Sequence, residues 1–289
     1  MPYIKADENV SLFYEEYGEG DRYVFTSLIY PFYYANYAKE LAKRGYHVVD
    51  VQIRGYGASS RLPEGINGND QWSEDIIKVA DHFGAEKFAY TGISHGSSIG
   101  WTLIHDHPER ISGFAGVVCG PKLIGAPSSF SWRNRLVDND LTEAEKKVKK
   151  AESTRQSRLN ELRDYQSEYW QDQLRKNADM EYYTITHTDA REDAMKFGGN
   201  PTPDYMKSEE NLIEWLKTIK TPVIIFGGMQ DPIVVPESMI RTATYVPHLK
   251  MVMFQDSDHD VALSHGEDLA NDIDYFFRER KVFDFPCCK

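Results

Sequence analysis

Residues 87–111 run KFAYTGISHGSSIGWTLIHDHPERI, with one glycine two positions before Ser94 and another two positions after it. A Gly/Ser turn is the bland interpretation, and a chance G-x-S-x-G in a chain of this length arises roughly one time in ten. The flanks argue for more. KFAYTGI is a β-branched and aromatic run that reads as a strand, and SIGWTLIHDHPERI has helical spacing up to Pro108. A serine on a sharp strand-to-helix turn is the setting of a nucleophile elbow. There the serine takes a strained backbone conformation, and Gly92 and Gly96 leave space that any Cβ would fill. Its hydroxyl then stands at a helix N-terminus, where free N–H groups and the helix dipole favour developing negative charge.

The same rhythm extends in both directions. Upstream, SLFYEEYG and RYVFTSL read as strands. YAKELAKRGYHVVDV reads as a helix stopped at Gly45 and followed by a strand, and QWSEDIIKVADHFG as a helix stopped at Gly84. Downstream, SGFAGVVCG, TPVIIFGG and LKMVMF are short apolar runs of the kind that fill a parallel sheet, and GEDLANDIDYFFRER is an amphipathic last helix. Strands alternating with helices imply an α/β fold with a doubly wound, mostly parallel sheet.

Residues 122–207 break the rhythm. They contain LTEAEKKVKKAESTRQSRLNELRDYQSEYWQDQLRKNADM, where Thr142 and Glu145 have capping-box spacing. Leu159, Leu162, Tyr169 and Leu174 fall on one helical stripe in otherwise charged text. This predicts a helical cap inserted between two sheet strands, with a core formed by residues 1–121 and 208–289. The insertion enters at the carboxyl end of a strand, where open α/β sheets bind ligands. Trp132, Tyr169 and Trp170 are its candidate substrate contacts.

Composition narrows the function classes. With 289 residues, 41% hydrophobic and 27% charged, the chain can bury the core of one large α/β domain. A formal net charge of -12 argues against a nucleic-acid surface and against adsorption to an anionic membrane. No apolar run approaches the roughly 18 residues of a spanning helix, and MPYIKADENV lacks the basic-then-apolar layout of a signal peptide. Three cysteines, Cys119 and the tail pair Cys287 and Cys288, make neither a disulfide framework nor a metal site. They point to a reduced, cytoplasmic setting.

Together, GISHG, KRGYHVVDVQIRGYGASS, HPERISGFAGVV, PVIIFGGMQDPIVV and DSDHD make the chain resemble the α/β-hydrolase superfamily over nearly its whole length. The resemblance implies the order nucleophile, acid, histidine, which Ser94, Asp231 and His259 follow. Asp231 comes at the end of the strand-like VIIFGGMQ, and its competing reading is a turn residue before Pro232. The alternative acid position holds Cys119-Gly120-Pro121 and offers no carboxylate. Asp256, Asp258 and Asp260 are too local to His259, since a triad acid normally approaches from a separate loop. Of the other histidines, His95 adjoins Ser94 with only its backbone N–H useful, and His105, His107 and His265 read as surface residues.

The resemblance also implies two backbone oxyanion donors, the N–H groups of His95 and Leu28. TSLIYPFYY stands where the family usually has His-Gly, and some enol-lactonase-like relatives have Asn-Ser-Leu there. Tyr30 and Phe32, in the aromatic cluster that follows, are candidate pocket residues. Gln52 stands where an aspartate is frequent, a structural departure. What is implied is a serine esterase or lactonase for a small to medium, mostly apolar substrate, with no metal or organic cofactor. Its partner is a small molecule, not nucleic acid or membrane, and the chain acts as a monomer or homodimer. C–C bond hydrolysis of a diketone-like substrate and slow-turnover ligand sensing stay open. Haloalkane dehalogenase and epoxide hydrolase chemistry is disfavoured, because those relatives use an aspartate nucleophile.

Overall fold

The computed structural model describes residues 2–28, 35–55, 58–60, 68–121, 142–159, 203–231 and 233–285, with isolated positions between 162 and 182. The chain divides into two compact units, Met1–Ile124 with Phe197–Lys289, and Gly125–Lys196. The larger unit resumes ahead of residue 208, the boundary that composition suggests. Tyr205, in the short turn Asp204–Met206, belongs to this unit, stacking on His105 at 4.2 Å and meeting Trp215 at 4.5 Å.

The larger unit is built on eight strands: β1 (Tyr3–Asp7), β2 (Val10–Tyr17), β3 (Tyr23–Leu28), β4 (His47–Gln52), β5 (Phe88–Ile93), β6 (Ile111–Val117), β7 (Val223–Gly228) and β8 (Lys250–Phe254). They form one sheet in the order β1-β2-β4-β3-β5-β6-β7-β8. The pairs β1–β2 and β2–β4 are antiparallel, and every later pair is parallel. The helices with both ends among the described residues are α1 (Ala35–Lys43), α2 (Asn69–His82), α3 (His95–Asp106), α4 (Glu143–Leu159), α5 (Glu209–Leu216), α6 (Pro236–Tyr245), α7 (Val261–Ser264) and α8 (Gly266–Glu279). The expected doubly wound, mostly parallel sheet is present.

Side chains alternate across the sheet, so each central strand buries residues on both faces. On one face Val24, Val48, Ala89, Ala115 and Ile224 meet Tyr37 and Leu41 of α1 and Leu269, Ile273 and Phe277 of α8 in one core cluster. On the other, Tyr90 stacks over Phe114 at 6.2 Å and Trp101 of α3 meets Phe114 edge-on at 5.0 Å. Burial on both sides is why these strands read as continuous apolar runs. β1, α5, α6 and the short α7 have no counterpart among the elements expected from the sequence. β1 is a short edge strand interrupted by charge, and α6 begins at Pro236, where proline fits the first helical turn.

The smaller unit contains α4, whose start is the reciprocal capping box that its spacing predicts. Thr142 N–H donates to Glu145 Oε2 at 2.8 Å, and Glu145 N–H donates to Thr142 Oγ1 at 3.3 Å. Ala151 and Ala178 are buried, and Arg155 bonds Asp179 at 2.7 Å. Among the described residues no helix is long and apolar enough to cross a membrane.

Candidate active site

Ser94 sits between the end of β5 and the first turn of α3 with φ 53° and ψ −114°, outside the regions that L-residues ordinarily occupy. Close backbone packing forces this conformation. A Cβ on Gly92 would lie 2.5 Å from the Gly96 carbonyl carbon, and one on Gly96 would lie 2.9 Å from Ser27 O. Strand, helix and the neighbouring β3 are therefore in contact backbone to backbone. Ser94 N–H donates to Val117 O at 2.8 Å, Ser97 N–H to Ser94 O at 3.0 Å, and Ser97 Oγ to Gly92 O at 2.6 Å. These bonds over-determine the turn and hold the strain in place.

The carboxyl ends of β7 and β8 bring two further side chains to this serine. Asp231 follows β7 and is buried. Its Oδ1 accepts the N–H groups of Ile233 at 2.7 Å and Val234 at 2.9 Å, and its Oδ2 lies 2.8 Å from His259 Nδ1. His259 is carried on the loop after β8, which is anchored to β7. Met229 N–H donates to Phe254 O at 2.8 Å and Gln230 N–H to Ser257 O at 3.0 Å. The backbone carbonyls of Ser257 and Asp258 press against Gly228 so closely that no Cβ would fit there. His259 Nε2 lies 2.8 Å from Ser94 Oγ. Because a carboxylate only accepts, Nδ1 carries the ring proton and Nε2 is left to accept the Ser94 hydroxyl proton.

The rivals fall elsewhere. Asp258 Oδ1 accepts Asp260 N–H at 3.0 Å, and Asp256 faces His265 at 3.8 Å. His265 corrects the surface reading, because it is buried. It stacks on Phe254 at 4.0 Å, and its Nε2 lies 3.0 Å from Ser257 Oγ, which ties the histidine loop to the start of α8. The His95 ring packs edge-on against Trp72 at 5.0 Å, while its N–H belongs to the first turn of α3, where a helix has no internal partner to offer. Leu28 is the last residue of β3, directly after the Ser27 carbonyl that abuts Gly96. Tyr30, Phe32, Trp132, Tyr169 and Trp170 lie outside the described residues.

Gln52 has a structural partner: its Oε1 accepts Ala58 N–H at 2.6 Å. Two residues on, buried Arg54 donates to Asp75 at 2.5 Å and to Asp7 at 2.6 Å, fixing the turn after β4. The sequence reading misses one polar group beneath the elbow, the Tyr90 hydroxyl. It donates to Gly96 O at 3.0 Å and pairs with Ser27 Oγ. Its signal in the sequence is a single hydroxyl-bearing ring inside a mostly apolar strand. Among the described residues no group of three or more His, Cys, Asp and Glu side chains is placed to hold a metal ion.

Known proteins resemble this chain at several levels. A family model described as the alpha/beta hydrolase fold matches residues 26–266. Epoxide hydrolase B of Mycobacterium tuberculosis (strain ATCC 25618 / H37Rv) is 34% identical over 105 residues, which are 35% of this chain and 30% of that protein. 2-Hydroxymuconate semialdehyde hydrolase of Pseudomonas putida is 20% identical over 237 residues, 80% of this chain and 77% of that protein. Among solved structures, 2-hydroxy-6-oxo-6-phenylhexa-2,4-dienoate hydrolase from Rhodococcus sp. strain RHA1 matches with a TM-score of 0.70 at 17% identity, covering 96% of this chain and 98% of that one. The stretch shared with the epoxide hydrolase spans less than a third of that protein, and the structural likeness carries the fold alone.

Proposed function

We propose that this chain, which belongs to the α/β-hydrolase family, is a serine hydrolase cleaving a carboxylic ester or lactone of a small to medium, mostly apolar substrate. The observation that carries this reading is the pair of 2.8 Å contacts that His259 makes with Ser94 and Asp231. Ser94 Oγ attacks the carbonyl carbon while His259 Nε2 takes its proton. Asp231 stabilises the resulting imidazolium through Nδ1–H and stays ionised. The tetrahedral oxyanion is held by the backbone N–H groups of His95 and Leu28. His259 then returns the proton to the leaving oxygen, the acyl-enzyme forms, and a water activated by the same imidazole releases the acid and regenerates Ser94.

Similarity to an epoxide hydrolase does not transfer that reaction. Opening an epoxide with a serine hydroxyl would leave an ether on Ser94, which water at an imidazole base does not cleave; an ester intermediate needs a carboxylate nucleophile. A second reading, C–C bond hydrolysis, is supported by the likeness to 2-hydroxymuconate semialdehyde hydrolase across 80% of this chain. Both readings use Ser94 and differ in the leaving group, carbon instead of oxygen. In either case the insertion selects the substrate and contributes no member of the trio. A fluorophosphonate followed by mass spectrometry tests the core of the proposal. Stoichiometric labelling at Ser94, lost in Ser94→Ala, is expected, and labelling at another residue rejects it. Turnover of aryl esters against vinylogous 1,5-diketones then separates the two leaving groups.

A further inference from the structure

Two backbone segments meet beneath Ser94, and one buried hydroxyl joins them. Tyr90 is fully buried in β5, and its ring stacks on Phe114. Its hydroxyl donates to Gly96 O at 3.0 Å. A phenol has one proton, so the bond between Tyr90 and Ser27 is donated by Ser27 Oγ to the Tyr90 oxygen. Ser27 precedes Leu28, and Gly96 follows His95. The two residues that Tyr90 grips are thus the immediate neighbours of the two proposed oxyanion donors. The segments also touch directly, since a Cβ on Gly96 would lie 2.9 Å from Ser27 O and 3.3 Å from Ser27 Oγ.

We infer that Tyr90 is a positioning residue that sets the separation of the two halves of the oxyanion hole by clamping β3 to the first turn of α3. The inference rests on the serine-hydrolase reading, because attack by Ser94 on a carbonyl is what gives the two backbone donors a shared charge to hold. Oxyanion donors act through pre-set geometry, and small displacements cost rate while leaving ground-state binding nearly untouched. Tyr90 contacts no reacting atom. Its loss should therefore appear in kcat and in the rate of Ser94 phosphonylation, which places an anionic oxygen in the same hole, and leave KM alone.

A matched control exists on the opposite face of the same strand. The Tyr37 hydroxyl is equally buried and pairs with Thr91 Oγ1, which itself donates to Ala115 O at 2.8 Å. Tyr37→Phe deletes a buried hydroxyl without touching Ser27 or Gly96. The experiment compares wild type, Tyr90→Phe, Ser27→Ala, their double variant and Tyr37→Phe. It reads the rate of fluorophosphonate labelling, kcat and KM for 4-nitrophenyl acetate, and the melting temperature. Tyr90→Phe should label and turn over about tenfold more slowly with KM nearly unchanged. Ser27→Ala should move the same way, and the double variant should lose little more, because both act through one clamp. Tyr37→Phe should lose similar thermal stability while keeping the wild-type rate. Wild-type rates in Tyr90→Phe, or an equal slowing in Tyr37→Phe, overturn the inference; if Tyr90→Phe does not fold, Ser27→Ala decides. A wild-type protein that does not label at Ser94 rejects the serine-hydrolase reading itself, a result separate from any ratio between variants.

Discussion

Asp231 Oδ2 lies 2.8 Å from His259 Nδ1 while the other oxygen of the same carboxylate closes a turn, accepting the N–H groups of Ile233 and Val234. The turn and the imidazole contact use different oxygens of one carboxylate, so a turn residue can also serve as the proposed acid: the turn fixes the carboxylate with its other oxygen facing the imidazole. This makes two substitutions informative together. Asp231→Asn keeps an oxygen for the turn but offers an NH₂ group to Nδ1, which forces the wrong imidazole tautomer. We predict a folded protein with kcat for an aryl ester lowered by about 10⁴. Asp231→Ala should lose as much activity and, in addition, about 1–2 kcal/mol of stability as the two turn N–H groups lose their acceptor. Steady-state kinetics and denaturant melts check both. Near wild-type kcat in folded Asp231→Asn would move the acid to Asp256 or Asp258.

The Ser94–His259 contact carries a prediction about additivity. Residues that act as one unit fail together, so Ser94→Ala and His259→Ala should each remove nearly all hydrolysis, and the double variant should be barely worse than either. Rates that multiply in the double variant would mean that the two groups act independently, contrary to a shared proton.

The insertion supports a prediction about selectivity. Replacing Trp132, Tyr169 or Trp170 with alanine should alter KM and acyl-chain preference by several-fold while fluorophosphonate still labels Ser94. Loss of labelling in a variant that circular dichroism reports as folded would make the insertion part of the catalytic machinery.

How much of this was legible in the sequence depends on whether a feature is local. The elbow was legible because Gly92 and Gly96 answer to a backbone contact that no other residue allows, and because strand and helix adjoin it. α1 and α2 end just before Gly45 and Gly84, as expected, and the capping box at Thr142 forms as spaced. That Asp231 and His259 meet beside Ser94 is expected only through the family resemblance, since nothing in their spacing shows that β7 and β8 are neighbours. The clamp at Tyr90 depends on β3 lying beside β5 across a long crossover, a relation that no local pattern encodes. His265 was misread for the same reason: its partners Ser257 and Phe254 belong to the preceding loop and strand, and they bury a ring that helical text alone leaves outside. β1 escaped notice because an edge strand carries charge on its open side.

Asp50 yields the last prediction, and its sign can be worked out. It lies on β4 between Glu15 of β2 and Thr26 of β3, 1% exposed, and among the described residues neither of its carboxylate oxygens has a hydrogen-bond partner. Desolvation, with Glu15 adding repulsion, holds its pKa well above the usual carboxylate range, so the folded protein keeps this proton when the unfolded chain has released it. Below the unfolded value of about 3.9 both states are protonated and Asp50 imposes no titration cost. As pH rises past that point the folded state binds the extra proton, and stability falls by up to about 1.4 kcal/mol per pH unit until the folded pKa is reached. Asp50→Val removes the titration and extends the apolar face on which Val48 already lies. The variant should be more stable than wild type near neutral pH, with the gap closing as pH falls toward about 4. Urea unfolding across that range measures it. A gap that is constant with pH would mean that burial of a neutral polar group is the whole cost and that Asp50 does not titrate abnormally; a variant less stable than wild type would mean that the carboxyl has a partner in solution.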